Sequence, residues 1–146
     1  MSETSCLSGL AGKIVEEISD AIMFSDREGI IRLWNAASER MFGYGPHEAL
    51  GRSLDLIIPE NLRDRHWQGY YRVMDTGETK YKTGLLSAPG VHKDGSRLSL
   101  EFSMATVRDE SGNIIGCASI IRDVTIRWQK EKELRGRLKA LEAGEG

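Results

Sequence analysis

The sequence predicts an α+β protein in which two short strands come first, a group of helices follows, and three longer strands and a final helix complete the chain. Apolar and polar residues alternate over the early and late segments, which is typical of half-buried strands. The middle segment has helical periodicity instead. Strands and helices that are grouped separately along a chain are typical of the α+β class.

The first elements are a helix and two strands. Residues 10–19 carry apolar side chains at helical spacing, so we expect an amphipathic helix there, after a frayed segment over residues 1–9. Two β-rich runs follow, over Ala21–Asp26 and residues 29–34. The intervening Asp-Arg-Glu-Gly has turn-forming chemistry, so these strands should form a hairpin.

Helices occupy the middle of the chain. Asn35 is a favourable N-cap for a helix over Ala36–Phe42, and Gly43 should end that helix. Short helical turns are expected over residues 46–58, where a proline suits a first turn and a glycine interrupts the run. A longer helix is expected over residues 60–75, before a Thr-Gly pair.

Three strands should follow, over residues 79–86, Arg97–Arg108 and 113–123. Lys-Asp-Gly-Ser at 93–96 predicts a tight loop between the first two strands, and Asp-Glu-Ser-Gly at 109–112 predicts a loop between the last two. Apolar side chains alternate along the middle strand, so one of its faces should be buried. Alternation alone leaves open which face of the last strand is buried.

A charged helix is expected over residues 125–143. Leu134, Leu138 and Leu141 form a short apolar seam on it, which would let two copies pair as a parallel dimer. A C-terminal tail without a partner is the alternative. The N-terminal amphipathic helix could contribute to the same dimer.

Composition excludes several classes of protein. A formal net charge of −2 over 146 residues provides no basic stripe for nucleic acid. No apolar run approaches membrane-spanning length, and the N-terminus lacks signal-peptide features. Cys6 and Cys117 are the only cysteines, and their contexts do not suggest a disulfide, so we expect a cytoplasmic protein.

No constellation predicts catalysis. His47 and His92 are expected to be exposed, and no paired carboxylates or thiolates have metal-site spacing. Phosphate-binding glycine motifs and a nucleophile–base pair are also missing from the sequence. We therefore expect a sensory or regulatory domain and not an enzyme.

His66 is the most informative residue. Together with Leu62, Gly69, Tyr70 and Val73 it falls on one face of the expected long helix. A buried imidazole must be hydrogen-bonded or bound to something, and Gly69 leaves a gap beside it. A haem could lie in that gap with its iron against the imidazole; the alternative is a hydrogen-bonded core histidine.

Several motifs in their order and spacing resemble the PAS family. They are Trp-Asn-Ala-Ala at 34–37, Phe-Gly-Tyr at 42–44, Ala-Leu-Gly-Arg at 49–52, Lys-Asp-Gly-Ser at 93–96 and Arg-Asp-Val-Thr at 122–125. The resemblance implies a five-stranded antiparallel sheet with flanking short helices and a ligand pocket between them. It also implies three parts: a cap segment over 1–17, a PAS sensor domain over 18–125 and a signalling or linker helix over 126–146.

Residues 59–95 resemble one subfamily in particular, the haem-binding gas sensors that include FixL-type sensor kinases and haem-regulated phosphodiesterases. Pro-Glu at 59–60, Leu-Arg at 62–63 and Met-Asp-Thr-Gly-Glu at 74–78 fall in the subfamily's register. The resemblance makes His66 the proximal iron ligand of a haem b. Covalent attachment is excluded because the chain has no Cys-x-x-Cys-His.

The resemblance also implies the rest of the pocket. Arg72 and Lys80 match positions that bind haem propionates, although each could equally be a solvated charge. The other expected lining residues are Leu62, Gly69, Tyr70, Leu85, Leu86, Phe102, Met104, Cys117, Ser119 and Ile121.

One position departs from the subfamily. Its oxygen sensors carry an arginine that hydrogen-bonds oxygen, where this chain has Leu86. Losing that donor removes about 1–3 kcal/mol from oxygen binding, whereas carbon monoxide loses little. Ser119 could donate weakly in its place, and Met104 could act as a sixth ligand. We therefore expect a sensor of a diatomic gas (oxygen, carbon monoxide or nitric oxide) or of redox state, with oxygen not the obvious ligand.

The expected partners are a gas ligand, a second copy of the chain through the terminal helices, and an effector domain or protein outside these residues. Any peroxidase-like activity of bound haem would be incidental. The alternative function is a PAS module without cofactor, which dimerises, binds a partner protein or binds a small apolar ligand. A flavin photoreceptor is not favoured, because neither cysteine has the required helical context.

Overall fold

The computed structural model describes residues 3–77 and 85–144. Its helices are α1 (Glu3–Glu17), α2 (Ala36–Phe42), α3 (Pro46–Ala49), α4 (Arg63–Thr76) and α5 (Thr125–Gly144), and 3₁₀ turns cover Leu54–Ile57 and Glu60–Leu62. Its strands are β1 (Ala21–Asp26), β2 (Ile31–Trp34), β3 (Leu86–Val91), β4 (Arg97–Arg108) and β5 (Ile114–Asp123). The order of elements is the one expected from the sequence.

The five strands form one antiparallel sheet in the order β2-β1-β5-β4-β3. The two halves of the chain therefore meet where β1 pairs with β5, which places Met23 opposite Ser119. Helices α2 to α4 connect β2 to the far edge strand β3. The predicted α+β class and five-stranded sheet are confirmed.

The strand before the 93–96 loop was predicted over residues 79–86. For the residues that the structure describes, this prediction is wrong. The strand begins at Leu86 and continues to Val91, whereas residues 79–84 lie outside the described residues. Pro89 and Gly90 argue against a strand in the sequence. Because β3 is an edge strand, Pro89 costs it no essential ladder bond. Gly90 packs closely against the next strand, since a Cβ there would lie 2.5 Å from the Leu100 Cδ1 atom and would require that side chain to shift.

The N-terminal helix also differs from the expectation. Residues 1–9 were expected to be frayed, but α1 begins at Glu3 and ends at Glu17, two residues before the predicted end. The first turns of α1 lack the apolar periodicity that is typical of a packed helix. The periodicity therefore predicted only the second half of α1.

Asn35 joins this helix to the sheet and to α2. Its Oδ1 atom accepts hydrogen bonds from the backbone N–H of Ile22 at 2.9 Å and of Ser38 at 3.0 Å. Its Nδ2 atom donates to the carbonyl oxygens of Val15 at 2.8 Å and Asp20 at 3.0 Å. The predicted N-cap is confirmed, and the same amide also fixes the end of α1.

Asn35→Ala is expected to lower the free energy of unfolding by about 2 kcal/mol, because it removes a helix cap and leaves buried backbone groups unpaired. Chemical denaturation would measure this change. Asn113→Ala, at an exposed loop position, is the matched control and should change stability by less than about 0.5 kcal/mol. Equal effects of the two substitutions would contradict the role of Asn35.

The core lies between the inner face of the sheet and helices α2 to α4. The last strand turns Cys117 and Ile121 into it, each 5% exposed, while Ile120 faces outward. This settles which face of β5 is buried, as the family resemblance implied. Among the described residues no helix is long and apolar enough to cross a membrane.

Candidate functional site

A cavity of about 380 Å³ lies between α4 and the inner face of the sheet. This volume is within the range of small-molecule and cofactor pockets. Ten of the thirteen residues predicted for the site line it, namely His66, Gly69, Tyr70, Arg72, Leu86, Phe102, Met104, Cys117, Ser119 and Ile121. Helical periodicity therefore located the wall on α4, and the family resemblance located the wall on the sheet.

The other three predicted residues do not line this cavity in the described structure. Leu62 ends a 3₁₀ turn instead of continuing α4, and the tighter winding takes it off the face that carries His66. Leu85 precedes Leu86, which faces the cavity, so it points the opposite way and is 67% exposed. Lys80 lies outside the described residues.

His66 forms the helical wall of the cavity. Its Nδ1 atom is buried and has no hydrogen-bond partner within residues 3–77 and 85–144. Burial lowers the pKa of His66, with the Asp55 carboxylate partly opposing that effect. The imidazole is therefore neutral near pH 7, which is the form that binds a metal. The alternative of a core histidine satisfied by protein hydrogen bonds finds no support among the described residues.

Tyr70 closes the inner end of the cavity, one turn after His66. Its hydroxyl lies 2.9 Å from the Ser25 Oγ atom and also donates to the carbonyl oxygen of Asp26. Burial raises the pKa of Tyr70 to about 12. Burial also raises the pKa of the Cys117 thiol nearby, so neither group ionises at neutral pH. This end of the cavity is fixed and uncharged.

Gly69 leaves open space in the same wall. A Cβ added there would meet nothing within 4 Å, and Gly69 lines the cavity between two cationic side chains that also line it, Arg65 and Arg72. Seven residues of helix separate these arginines by about 10 Å along its axis. Neither guanidinium has an ion pair or a hydrogen bond among the described residues.

Arg65 was not predicted as a site residue. The sequence did contain a signal for it, because Arg65, Gly69 and Arg72 follow the four- and three-residue spacing of one helix face. That stripe runs beside the one that holds His66 and Tyr70. The two arginines could therefore pair with carboxylates of a ligand whose apolar body lies against Gly69.

The opposite wall, on the sheet, is largely apolar. Phe102 lies directly across from Leu86 in the β3–β4 pairing, and Met104 lies across from Ser119 in the β4–β5 pairing. Met104 is 39% exposed, so it lies toward the opening of the cavity. No cationic side chain of the sheet lines the described cavity.

These features fit a haem b. The site offers a neutral imidazole that lines the cavity without a hydrogen bond to the described residues, open space beside it, an apolar facing wall and two cations for propionates. Within the described residues, no group of three or more acidic, histidine or cysteine side chains could hold a bare metal ion. His66 is thus suited to an iron that a macrocycle brings with it.

The fold and this pocket define an α+β domain with a cavity between its sheet and its helices, an architecture found in sensory proteins. Residues 15–129 match the family model described as the PAS fold. The chain belongs to the PAS family.

Curated relatives include two sensor proteins. The chain is 29% identical over 122 residues to the sensor protein FixL of Bradyrhizobium diazoefficiens, covering 84% of this chain and 24% of that protein. It is 22% identical over 120 residues to the oxygen sensor protein DosP of Escherichia coli, covering 82% and 15%. The chain thus spans about a quarter or less of these relatives.

Solved structures confirm the fold. A PAS domain of a protein from Colwellia psychrerythraea superposes with a TM-score of 0.71 at 22% identity, covering 82% of this chain and 98% of that one. An RNA-binding light-oxygen-voltage receptor superposes with a TM-score of 0.77 at 22% identity, covering 95% and 40%. These superpositions establish the PAS architecture. At identities this low they do not indicate which ligand the pocket binds.

Proposed function

We propose that this PAS domain is a haem b-binding sensor that uses His66 as the proximal iron ligand and responds to a diatomic gas or to redox state. The position of the His66 imidazole on the wall of an apolar cavity, with no hydrogen bond to any described residue, carries the proposal. Buried polar groups normally have hydrogen-bond partners. An imidazole in an apolar wall without them is therefore suited to binding a ligand.

The residues of the chain would divide the work of binding. His66 supplies the neutral nitrogen, and Arg65 and Arg72 neutralise the propionates at the rim. Phe102 and Leu86 exclude water from the opposite side. When bound, haem would supply an iron that takes a gas molecule or changes oxidation state. FixL and DosP, the named sensors among the relatives, support this choice of group.

Gas selectivity would follow from the apolar sheet wall. Leu86 half-buried on β3 offers no hydrogen-bond donor to a polar diatomic, and Ser119 provides only a neutral hydroxyl. Oxygen gains more from a donor than carbon monoxide does. We therefore propose a sensor whose haem does not bind oxygen in preference to carbon monoxide or nitric oxide.

The output would leave through α5. The Thr125 Oγ1 atom accepts a hydrogen bond from the Ser99 backbone N–H at 2.9 Å, and the Thr125 N–H donates to Asp123 at 3.0 Å. The start of α5 is thus fixed to β4. Leu134, Leu138 and Leu141 are all more than half exposed, which suits pairing with a second copy in a dimer that acts on an effector outside these residues.

The test is an optical titration of the purified protein with hemin. We expect saturable 1:1 uptake, with a Soret band that shifts on reduction and again on addition of carbon monoxide. A folded protein that takes up no hemin at saturating concentration would overturn the proposal.

The alternative is a cofactor-free module for a small apolar ligand, which the predominantly apolar cavity also suits. Displacement of an environment-sensitive apolar dye from a protein that rejects hemin would support that alternative.

Gly69 allows cofactor binding to be separated from folding. Gly69→Ala should stabilise the apoprotein by about 0.5–1 kcal/mol, because glycine is unfavourable inside a helix and the added methyl meets open space. Gly69→Phe should instead fill that space and weaken hemin binding at least about tenfold, or 1.4 kcal/mol. Thermal melts and hemin titrations measure the two effects. Unchanged hemin affinity in Gly69→Phe would show that no ligand lies against this helix face.

A further inference from the structure

Trp67 lies behind His66, on the side away from the cavity. The two residues are neighbours on α4, so their side chains leave the helix in different directions, and Trp67 does not line the cavity. The indole nevertheless contacts the imidazole edge-on, with ring centroids 4.7 Å apart and ring planes at 75°. Rotation of the His66 ring would require Trp67 to move.

Trp67 is itself held in place by three contacts. Its Nε1–H donates a hydrogen bond to the Asp55 Oδ1 atom at 2.7 Å. Its six-membered ring occupies a notch at Gly29, where a Cβ would lie 2.1 Å from the Trp67 Cη2 atom. Tyr71 stacks on the indole at 5.6 Å with a 26° interplanar angle. The indole therefore has little freedom to leave the imidazole.

Asp55 adds a charge to this arrangement. Its carboxylate is 40% exposed, and among the described residues its ion-pair partner is Arg63, whose Nε atom lies 3.9 Å away. The same carboxylate acts electrostatically on His66, where it favours a more basic imidazole. Trp67 contacts both residues, so Asp55 lies one side chain away from the imidazole, and a negative charge at that separation makes the ring a stronger electron donor without a direct hydrogen bond.

We propose that Asp55 and Trp67 are positioning residues for His66: Trp67 fixes the orientation of the imidazole ring, and Asp55 both anchors Trp67 and strengthens the imidazole as an iron ligand. The proposal rests on the function proposed above. Neither residue touches the ligand. Asp55 would favour ferric over ferrous iron, because a stronger, more negative donor stabilises the higher charge.

Two substitutions at one position separate geometry from charge. Asp55→Asn keeps an oxygen that can accept the indole hydrogen bond but removes the charge, whereas Asp55→Ala removes both. Trp67→Phe keeps a ring and removes the donor. The matched control is Asp64→Asn, since Asp64 is an exposed carboxylate on α4 two residues before His66 and makes no ion pair in the described structure.

Two readouts are needed, one of them without hemin. In the apoprotein, the NMR shifts of the His66 ring protons carry the ring-current effect of the indole. We expect Asp55→Ala to alter them and Asp55→Asn to preserve them. In the hemin-loaded protein, Asp55→Asn should shift the ferric/ferrous equilibrium toward ferrous by up to about tenfold, or about 59 mV for one electron. Asp55→Ala should also weaken hemin binding about tenfold.

The outcomes discriminate between the two proposals. If hemin binds but Asp55→Ala and Trp67→Phe leave the ring-proton shifts, affinity and potential unchanged, the positioning role is overturned. An equal change of potential in Asp64→Asn would overturn the charge effect of Asp55. If the wild-type protein rejects hemin while Asp55→Ala still alters the His66 shifts, the haem proposal fails and the positioning of the ring is supported.

Discussion

His66→Ala is expected to lower hemin affinity by about 100-fold and to eliminate the Soret band of the five- or six-coordinate histidine complex. The substitution removes the only imidazole that lines the described cavity, and loss of a direct ligand should cost at least the upper end of the 10–100-fold that outer partners contribute. Optical titration with hemin, followed by carbon monoxide addition, measures both effects.

The control for this substitution is His92→Ala. His92 packs against Gly43 at the hairpin before β4, away from the cavity, so its removal should leave hemin affinity unchanged. Free imidazole should restore a histidine-like spectrum to His66→Ala, because the deleted side chain leaves room in the wall. Retention of the wild-type spectrum by His66→Ala would place the iron ligand elsewhere.

Leu86→Arg is expected to raise the oxygen affinity of the ferrous, hemin-loaded protein about 10- to 100-fold, with carbon monoxide affinity changed far less. A guanidinium at this position of β3 could hydrogen-bond oxygen, which is worth about 1–3 kcal/mol. Leu86 lines the cavity and is half-buried on an edge strand, where a longer side chain has room. Equilibrium gas titrations of both proteins provide the comparison.

Leu85→Arg is the matched control, since it adds the same cation one residue earlier. Leu85 is 67% exposed and does not line the cavity, so this variant should bind oxygen as the wild type does. If Leu85→Arg raised oxygen affinity equally, the effect would be a general one of positive charge. Wild-type oxygen affinity as high as that of Leu86→Arg would contradict the argument from the apolar wall.

The sequence predicted most of the fold because local signals agreed with tertiary packing. Ala21–Asp26, Ala36–Phe42 and Arg97–Arg108 have the predicted bounds, and each has alternation, a cap or a turn signal. The strand β3 was misplaced because Pro89 argues against a strand except at a sheet edge, and because Gly90 weakens the local strand signal although it packs closely against Leu100. Edge position is a property of the whole sheet, and no local pattern contains it.

The site residues that lie on one helix could be predicted, because their spacing along the sequence places them on one face. The face of α4 placed His66, Gly69 and Tyr70 together, and the family resemblance supplied the facing strands. Asp55 was not found, since its role depends on a 3₁₀ turn folding back beside α4 and on a hydrogen bond to Trp67. Such contacts between segments leave no periodic trace in the sequence.

The strand β4 both lines the cavity and holds the start of α5. Phe102 faces the cavity, and Ser99, three residues earlier, holds the first residue of α5 through its backbone N–H. Three residues of extended chain span about 10 Å. A small shift of β4 where Phe102 lines the cavity would therefore reach the start of α5 along one continuous strand, and such a signal would not require the core to unfold.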